Sequence, residues 1–175
     1  FKYMRSDFKP LPVKLEHMDI FLSFIDGKVE AENTLRISAL EEMDSVTLDA
    51  QELQIHSVEW ICKTTDDRLQ TTGLEYDYEQ DSLKVKLPEP VKAGDTFSIK
   101  TKSTCTPSDT NLEGLYTDTT PPGCPQQYMS QCQQWGFQRI MPVFDDCTAK
   151  CTMTTTIEAD AAYSHLISNG NICKE

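Results

Sequence analysis

The sequence predicts an all-β fold built from several antiparallel sheets arranged as a saddle or a sandwich. Apolar and polar residues alternate with a period of two wherever a period is visible, which favours half-buried strands over helices. Turn residues such as Asp26-Gly27 and Ala93-Gly94-Asp95 separate the alternating segments. The 175 residues fit one domain, residues 1–175, which is large enough to fold without disulfide bonds.

The alternation predicts seven strands in chain order. In the first, Met18, Ile20 and Leu22 share one face, and Asp26-Gly27 then turns the chain into a second strand. The third segment carries Trp60. The seven segments are 15–25, 28–39, 53–63, 74–79, 83–87, 96–104 and 151–160. Strands at this spacing, with turn signals between them, are typical of packed antiparallel sheets.

Prolines indicate where the strands stop. Pro88 and Pro90 are expected to end the fifth strand. Between about residues 105 and 130 the alternation is lost and four prolines occur, so we expect a long irregular loop of the kind that is functional or disordered. Tyr116, two residues after Gly114, is expected to plug this loop onto the sheet, with a ligand contact as the alternative.

The charge of the chain excludes one class of partner. Sixteen Lys and Arg against 28 Asp and Glu give a net charge of −12, which repels phosphate backbones, so we expect no nucleic-acid partner. No apolar run has the length of a membrane span, and we expect no membrane partner. A cytoplasmic location follows as an expectation. The first residue is Phe1 and not Met, so a secreted or periplasmic location after removal of a leader is the alternative.

Seven cysteines leave two interpretations open. Their number is odd, so at least one is unpaired in a monomer, and reduced thiols in a cytosolic protein are favoured over a secreted disulfide framework. Cys147 and Cys151 have the spacing of half a metal site. They lack a second pair at ligand spacing and a nearby histidine, so we expect no metal to bind this chain.

Two stretches have a sequence more specific than the alternation of an ordinary strand. The first is Asn111-Leu112-Glu113-Gly114-Leu115-Tyr116, and the second runs from Gln131 to Lys150 as QCQQWGFQRIMPVFDDCTAK. With the later Leu166-Ile167-Ser168-Asn169-Gly170, they resemble the N-terminal domain of the aminopeptidase N and leukotriene hydrolase family of zinc metallopeptidases, the gluzincins. Cys147, Met141 and Val143 depart from the family's usual Pro, Phe and Cys.

The resemblance implies a binding role for two glutamines. Gln131 and Gln133 occupy positions from which the family's loop reaches toward the catalytic domain and seats the α-amine of a peptide. Gln133 occupies a position that is glutamate in most aminopeptidases of the family and glutamine in the leukotriene hydrolase branch. The branch to which this chain belongs is therefore left open. From the residues alone, the alternative is two surface glutamines at a strand end. Arg139 and Asp145 are expected to form an ion pair that holds the loop, and Trp135 and Phe137 either anchor it or line a pocket.

The family's zinc motif, His-Glu-x-x-His, is not in this sequence, since His17, His56 and His165 lie far apart. The resemblance therefore implies a scaffold domain that is not catalytic alone, with its own catalytic domain and peptide N-termini as partners and zinc in the full-length protein. Two alternatives are a stand-alone β-sandwich that binds a protein or a glycan, and a family member without zinc that acts as an assembly subunit. Whether the reading frame continues into the zinc motif discriminates among them.

Overall fold

The computed structural model describes residues 9–63, 69–124 and 126–173, and within them eleven strands and one short 3-10 turn. The 3-10 turn is Phe137–Arg139. The strands are β1 (Val13–Ile25), β2 (Lys28–Ala39), β3 (Met43–Asp49), β4 (Leu53–Lys63), β5 (Leu69–Gly73), β6 (Tyr76–Glu79), β7 (Ser82–Val91), β8 (Thr96–Cys105), β9 (Gly114–Asp118), β10 (Gln127–Gln131) and β11 (Thr152–Ala159). The predicted all-β class is confirmed. The described residues contain no helix long and apolar enough to cross a membrane.

Three sheets organise the chain. The largest has the strand order β11-β1-β2-β8-β4-β5, a second has the order β3-β7-β6, and β9 and β10 form a hairpin. The pairs are antiparallel except that β11 runs parallel to β1 at one edge. Asp26 and Gly27 both have positive φ, 53° and 70°, which is the type I′ turn that matches the twist of the predicted β1–β2 hairpin.

One hydrophobic core lies against the inner face of the large sheet. Alternate residues of β2 and β8 are buried there, and β3 and β7 contribute from the second sheet. Met141 and Val143, each 1% exposed, enter the same core from the segment that follows the 3-10 turn. The core residues with the largest fully buried side chains are Met18, Leu35, Ile37, Leu48, Leu83, Ile99 and Met141. The sheets therefore share one core with the segment that carries the sequence motif.

The structure differs from the expected strand pattern in two kinds of place. Strand β7 continues through Pro88 and Pro90, because both prolines fall where the β3–β7 register shifts and no ladder amide is needed. The region expected to be irregular contains β9 and β10, and β3 and β5 are additional strands. Strand β5 is exposed along its whole length, so it carries no alternation that could predict it.

Candidate functional site

Residues 131–145 lie across the connection between β3 and β4. We call residues 131–136 the glutamine loop and residues 137–145 the anchor segment. The amide of Asp49 donates to the carbonyl oxygen of Val143 at 2.7 Å, and the amide of Val143 donates back at 3.0 Å. The amide of Gln51 donates to the carbonyl oxygen of Gln138 at 2.9 Å. These bonds pair the anchor segment with the β3–β4 connection as a short piece of sheet would.

The glutamine loop turns back on itself at Gly136. The amide of Gly136 donates to the carbonyl oxygen of Cys132 at 2.9 Å. A β-carbon on Gly136 would overlap the carbonyl oxygen of Gln131 and lie 2.6 Å from the backbone nitrogen of Gly114. Only glycine fits this contact between the loop and the start of β9.

The structure brings the two candidate glutamines together. Gln131 is the last residue of β10, and its Nε2 donates to the backbone carbonyl oxygen of Gln133 at 3.1 Å. Both side chains are exposed. Within the described part of the chain, the Gln133 side chain makes no hydrogen bond. The bond from Gln131 holds the backbone that carries it.

The neighbouring face of the hairpin is apolar. Tyr116 of β9 pairs with Met129 of β10, two positions along the ladder from the Gly114–Gln131 pair. The hydroxyl of Tyr116 donates to the Met129 sulfur at 4.0 Å. Tyr116 is half-buried, whereas Leu115 is 7% exposed. Leu115 is thus the more deeply buried of the two, and the expectation that Tyr116 plugs the loop onto the sheet stays a prediction. Successive strand residues point to opposite faces, and Leu115 has the inward position.

Arg139 and Asp145 have other partners than each other. Nη1 of Arg139 lies 2.6 Å from Oε2 of Glu52, and its Nε lies 3.4 Å from Oε2 of Glu113. The expected Arg139–Asp145 ion pair is wrong, because the arginine side chain lies toward Gly114 and the start of β9. Both residues still hold the loop. Asp145 does so by accepting the amide of Gln138 at 3.1 Å.

The carboxylate of Asp49, at the end of β3, lies beside Asp145, the last residue of the anchor segment. Oδ2 of Asp49 accepts the backbone amide of Asp145 at 2.8 Å. Burial raises the pKa of the Asp145 carboxyl, and the neighbouring Asp49 carboxylate raises it further. Burial likewise raises the pKa of Asp49, with Asp146 adding to the shift. The hydroxyl and amide of Thr148 lower the pKa of Asp146.

The aromatic residues of the segment have different surroundings. Phe137 is partly buried and packs against the core, so it anchors the loop, while Trp135 is 59% exposed. A cavity of about 610 Å³ lies elsewhere, between β10 and the residues after β11, and is lined by Phe24, Tyr128 and Tyr163 among others. Neither Gln131 nor Gln133 lines it.

The described residues do not fit zinc. No group of three or more His, Cys, Asp and Glu side chains among them is arranged to hold a metal ion. Each histidine lies instead beside a hydroxyl group, His17 with Thr152, His56 with Thr104 and His165 with Ser164. All seven cysteines are free thiols in the structure.

Comparison with known proteins decides the family. Residues 13–175 match the Peptidase M1 N-terminal domain. The chain belongs to this family. No curated protein matches it in sequence. The predicted resemblance is thereby confirmed, and the M1 N-terminal domain described here contains the motif from which it was inferred.

Solved structures of M1 peptidases share the fold. The M1 zinc metallopeptidase of Deinococcus radiodurans superposes with a TM-score of 0.65 at 17% identity over 87% of this chain and 34% of that one. A variant of that enzyme bound to a Tyr-Ser-Ala substrate gives 0.64 at 17% identity over 85% and 33%. Aminopeptidase A of Legionella pneumophila, in complex with aspartic acid, gives 0.67 at 22% identity over 87% and 16%. The M1 N-terminal domain thus spans about a third or less of the length of these relatives.

Sequence reasoning overlooked several residues of the site. Asn33, Asp49, Glu52 and Glu113 all contact the anchor segment or its arginine. For Asn33 a signal was present, since it is the one polar residue in a row of inward positions of β2 that are otherwise apolar. No sequence signal marked Asp49, Glu52 or Glu113, because 28 acidic residues are spread along the chain.

Proposed function

We propose that this chain is the non-catalytic N-terminal β-domain of a zinc aminopeptidase, in which it supplies scaffold and one wall of the substrate cleft. The observation that carries the proposal is the exposed Gln133 amide, free of hydrogen bonds to described residues, on a loop whose backbone Gln131 holds. The family supports it, as does the fold shared with the Deinococcus enzyme, a variant of which was solved with a Tyr-Ser-Ala substrate.

The chemistry of the site suits a free peptide N-terminus. An ammonium group has only hydrogen-bond donors, and the side-chain carbonyl of Gln133 is an acceptor that can bind it. The net charge of −12 favours the approach of a cation. A neutral amide gives a weaker bond than a carboxylate would, so the affinity for the amine stays moderate.

The metal belongs to another part of the proposed enzyme. Zinc held by a catalytic domain would activate the attacking water. The residues of this chain bind and orient the amine, and the shared core keeps their loop in a fixed place. The chain alone is therefore proposed to have no peptidase activity.

The test is Gln133→Ala in the full-length parent, assayed with a peptide that has a free N-terminus. Losing a hydrogen bond to a charged group costs about 1.5–3 kcal/mol, so kcat/KM should fall roughly ten- to a hundredfold, with zinc content unchanged. Gln127→Ala is the matched control, because Gln127 is an exposed glutamine at the other end of β10.

An N-acetylated peptide provides the second comparison, since it has no ammonium group. Its turnover should be equally low with either variant. Equal kinetics of Gln133→Ala and Gln127→Ala on the free-amine peptide would show that Gln133 does not bind the amine.

A further inference from the structure

Asn33 is a buried polar residue in the middle of an apolar row. On β2 the inward positions on either side of it are Ala31 and Leu35, and all three residues are at most 2% exposed. A buried amide without a hydrogen-bond partner destabilises a fold, so an asparagine at this depth requires a reason. The neighbouring inward positions of β2 are apolar, so the reason lies outside this row of residues.

The partner of Asn33 lies in the anchor segment. Nδ2 of Asn33 donates to the carbonyl oxygen of Pro142 at 2.8 Å, across 109 residues of sequence. The residues on either side of Pro142, Met141 and Val143, are each 1% exposed. This bond joins the large sheet to the anchor segment, whereas the long-range backbone bonds of that segment go to Asp49 and Gln51 in the β3–β4 connection.

Within the described chain, only the nitrogen of the Asn33 side-chain amide is hydrogen-bonded. Oδ1 of Asn33 has no hydrogen-bond partner among the described residues, and neither has Oγ1 of Thr101, which pairs with Asn33 from β8. Asn33 thus donates one hydrogen bond to Pro142 while its side-chain oxygen stays buried without a partner among the described residues. A side chain selected for core stability alone would not carry that oxygen.

We propose that Asn33 is a positioning residue that fixes the height of the anchor segment above the large sheet, and through it the placement of Gln131 and Gln133 in the substrate cleft. This inference rests on the proposed function. The anchor segment follows the glutamine loop directly in the chain, and the amide of Arg139 in the anchor segment donates to the carbonyl oxygen of Gly136 in the loop at 3.2 Å. A shift at Pro142 is therefore transmitted to the loop.

The test compares Asn33→Leu with Thr101→Val. Leucine fills the site with apolar atoms and removes the donor to Pro142, while valine removes a hydroxyl at the same depth that makes no hydrogen bond to described residues. Hydrogen exchange is measured across the chain by mass spectrometry. Asn33→Leu should speed exchange of residues 131–145 about fivefold or more relative to the rest of the chain, and Thr101→Val should not.

Kinetics of the full-length parent give the second readout. If the loop is displaced, Asn33→Leu should raise KM for a free-amine peptide about threefold to tenfold with kcat within about twofold, while Thr101→Val leaves both unchanged. If Asn33→Leu does not fold, Asn33→Ser asks the same question, because serine is too short to reach Pro142.

The two proposals fail in different ways. If Gln133→Ala raises KM but Asn33→Leu changes neither exchange nor KM relative to Thr101→Val, the positioning role is wrong and the amine-binding role stands. If Asn33→Leu loosens residues 131–145 and neither substitution changes KM, Asn33 does position the loop and the amine-binding role is wrong. Uniformly faster exchange over the whole chain would assign Asn33 to general stability and overturn the inference.

Discussion

Gly136 and Gly114 meet backbone to backbone, so closely that a β-carbon on Gly136 would lie 2.6 Å from the Gly114 nitrogen. Gly114 has a φ of +72°, and a β-carbon there would lie 2.6 Å from Cβ of Arg139. Neither glycine can carry a side chain without overlapping atoms across the contact. At this pair the glutamine loop and the start of β9 meet through backbone atoms.

Gly136→Ala should destabilise the chain. The new methyl group would overlap backbone atoms that cannot rotate away, and overpacking of this kind lowers the free energy of unfolding by about 1–3 kcal/mol. Urea denaturation followed by circular dichroism measures the change. Gly73→Ala is the control, because a β-carbon at Gly73 has no atom within 4 Å, and its effect should stay within about 0.5 kcal/mol. Equal effects of the two substitutions would contradict the close contact.

Gln133→Glu should bind free-amine peptides more tightly in the full-length parent. The substitution places a carboxylate opposite the proposed ammonium, and charged hydrogen bonds are stronger than neutral ones. Titration of KM against salt measures the effect, since screening should weaken the gain if the cleft is open to solvent. N-acetylated peptides should gain nothing. A similar gain with an N-acetylated peptide would show that the carboxylate acts on something other than the amine.

Asp145→Asn should change how stability depends on pH. Burial and the Asp49 carboxylate raise the folded-state pKa of Asp145 above its ordinary value of 3.8. The unsubstituted chain therefore loses stability as pH rises from 3.8 through the raised pKa, because ionisation of this group is less favourable in the folded state than in the unfolded state. Asparagine keeps an acceptor for the Gln138 amide and carries no charge. The free energy of unfolding of the variant, relative to the unsubstituted chain, should therefore increase as pH rises from 3.8 through the raised pKa of Asp145.

Asp146→Asn is the control of opposite sign. Thr148 lowers the folded-state pKa of Asp146 below 3.8, so its charge stabilises the fold above that pH and the contribution is lost as pH falls. Relative to the unsubstituted chain, this variant should lose stability as pH rises. Urea titrations at several pH values measure both variants, and differences of the same sign would contradict the assigned surroundings of Asp145.

Arg139→Met should couple to Glu52 and not to Asp145. The ion pair with Glu52 is only partly shielded, because the glutamate side chain is 75% exposed and the arginine side chain 17%. A double-mutant cycle with Glu52→Gln should give a coupling free energy of about 0.2–1 kcal/mol that decreases with salt. The cycle of Arg139→Met with Asp145→Asn should give none. A larger coupling to Asp145 would restore the pair expected from sequence.

Local pattern was sufficient for the strands that alternate and for the turn that joins β1 to β2. The side chains of β2 fall on two faces at a period of two, and Asp26-Gly27 supplies the positive φ values of a type I′ turn. The same reasoning missed β5, which is exposed throughout and carries no periodic signal. It also ended β7 at its prolines, because a register shift between paired strands is not visible in one of them alone.

The sequence by itself determined the all-β class, the first hairpin and the segment that carries the family motif, because period, turn residues and motif are all properties of neighbouring residues. Only the tertiary structure decided which acid pairs with Arg139, that Leu115 and not Tyr116 enters the core, and that Asn33 reaches Pro142. Those contacts join segments up to 109 residues apart. Among 28 acidic residues spread along the chain, proximity in space and not residue type selects the partner.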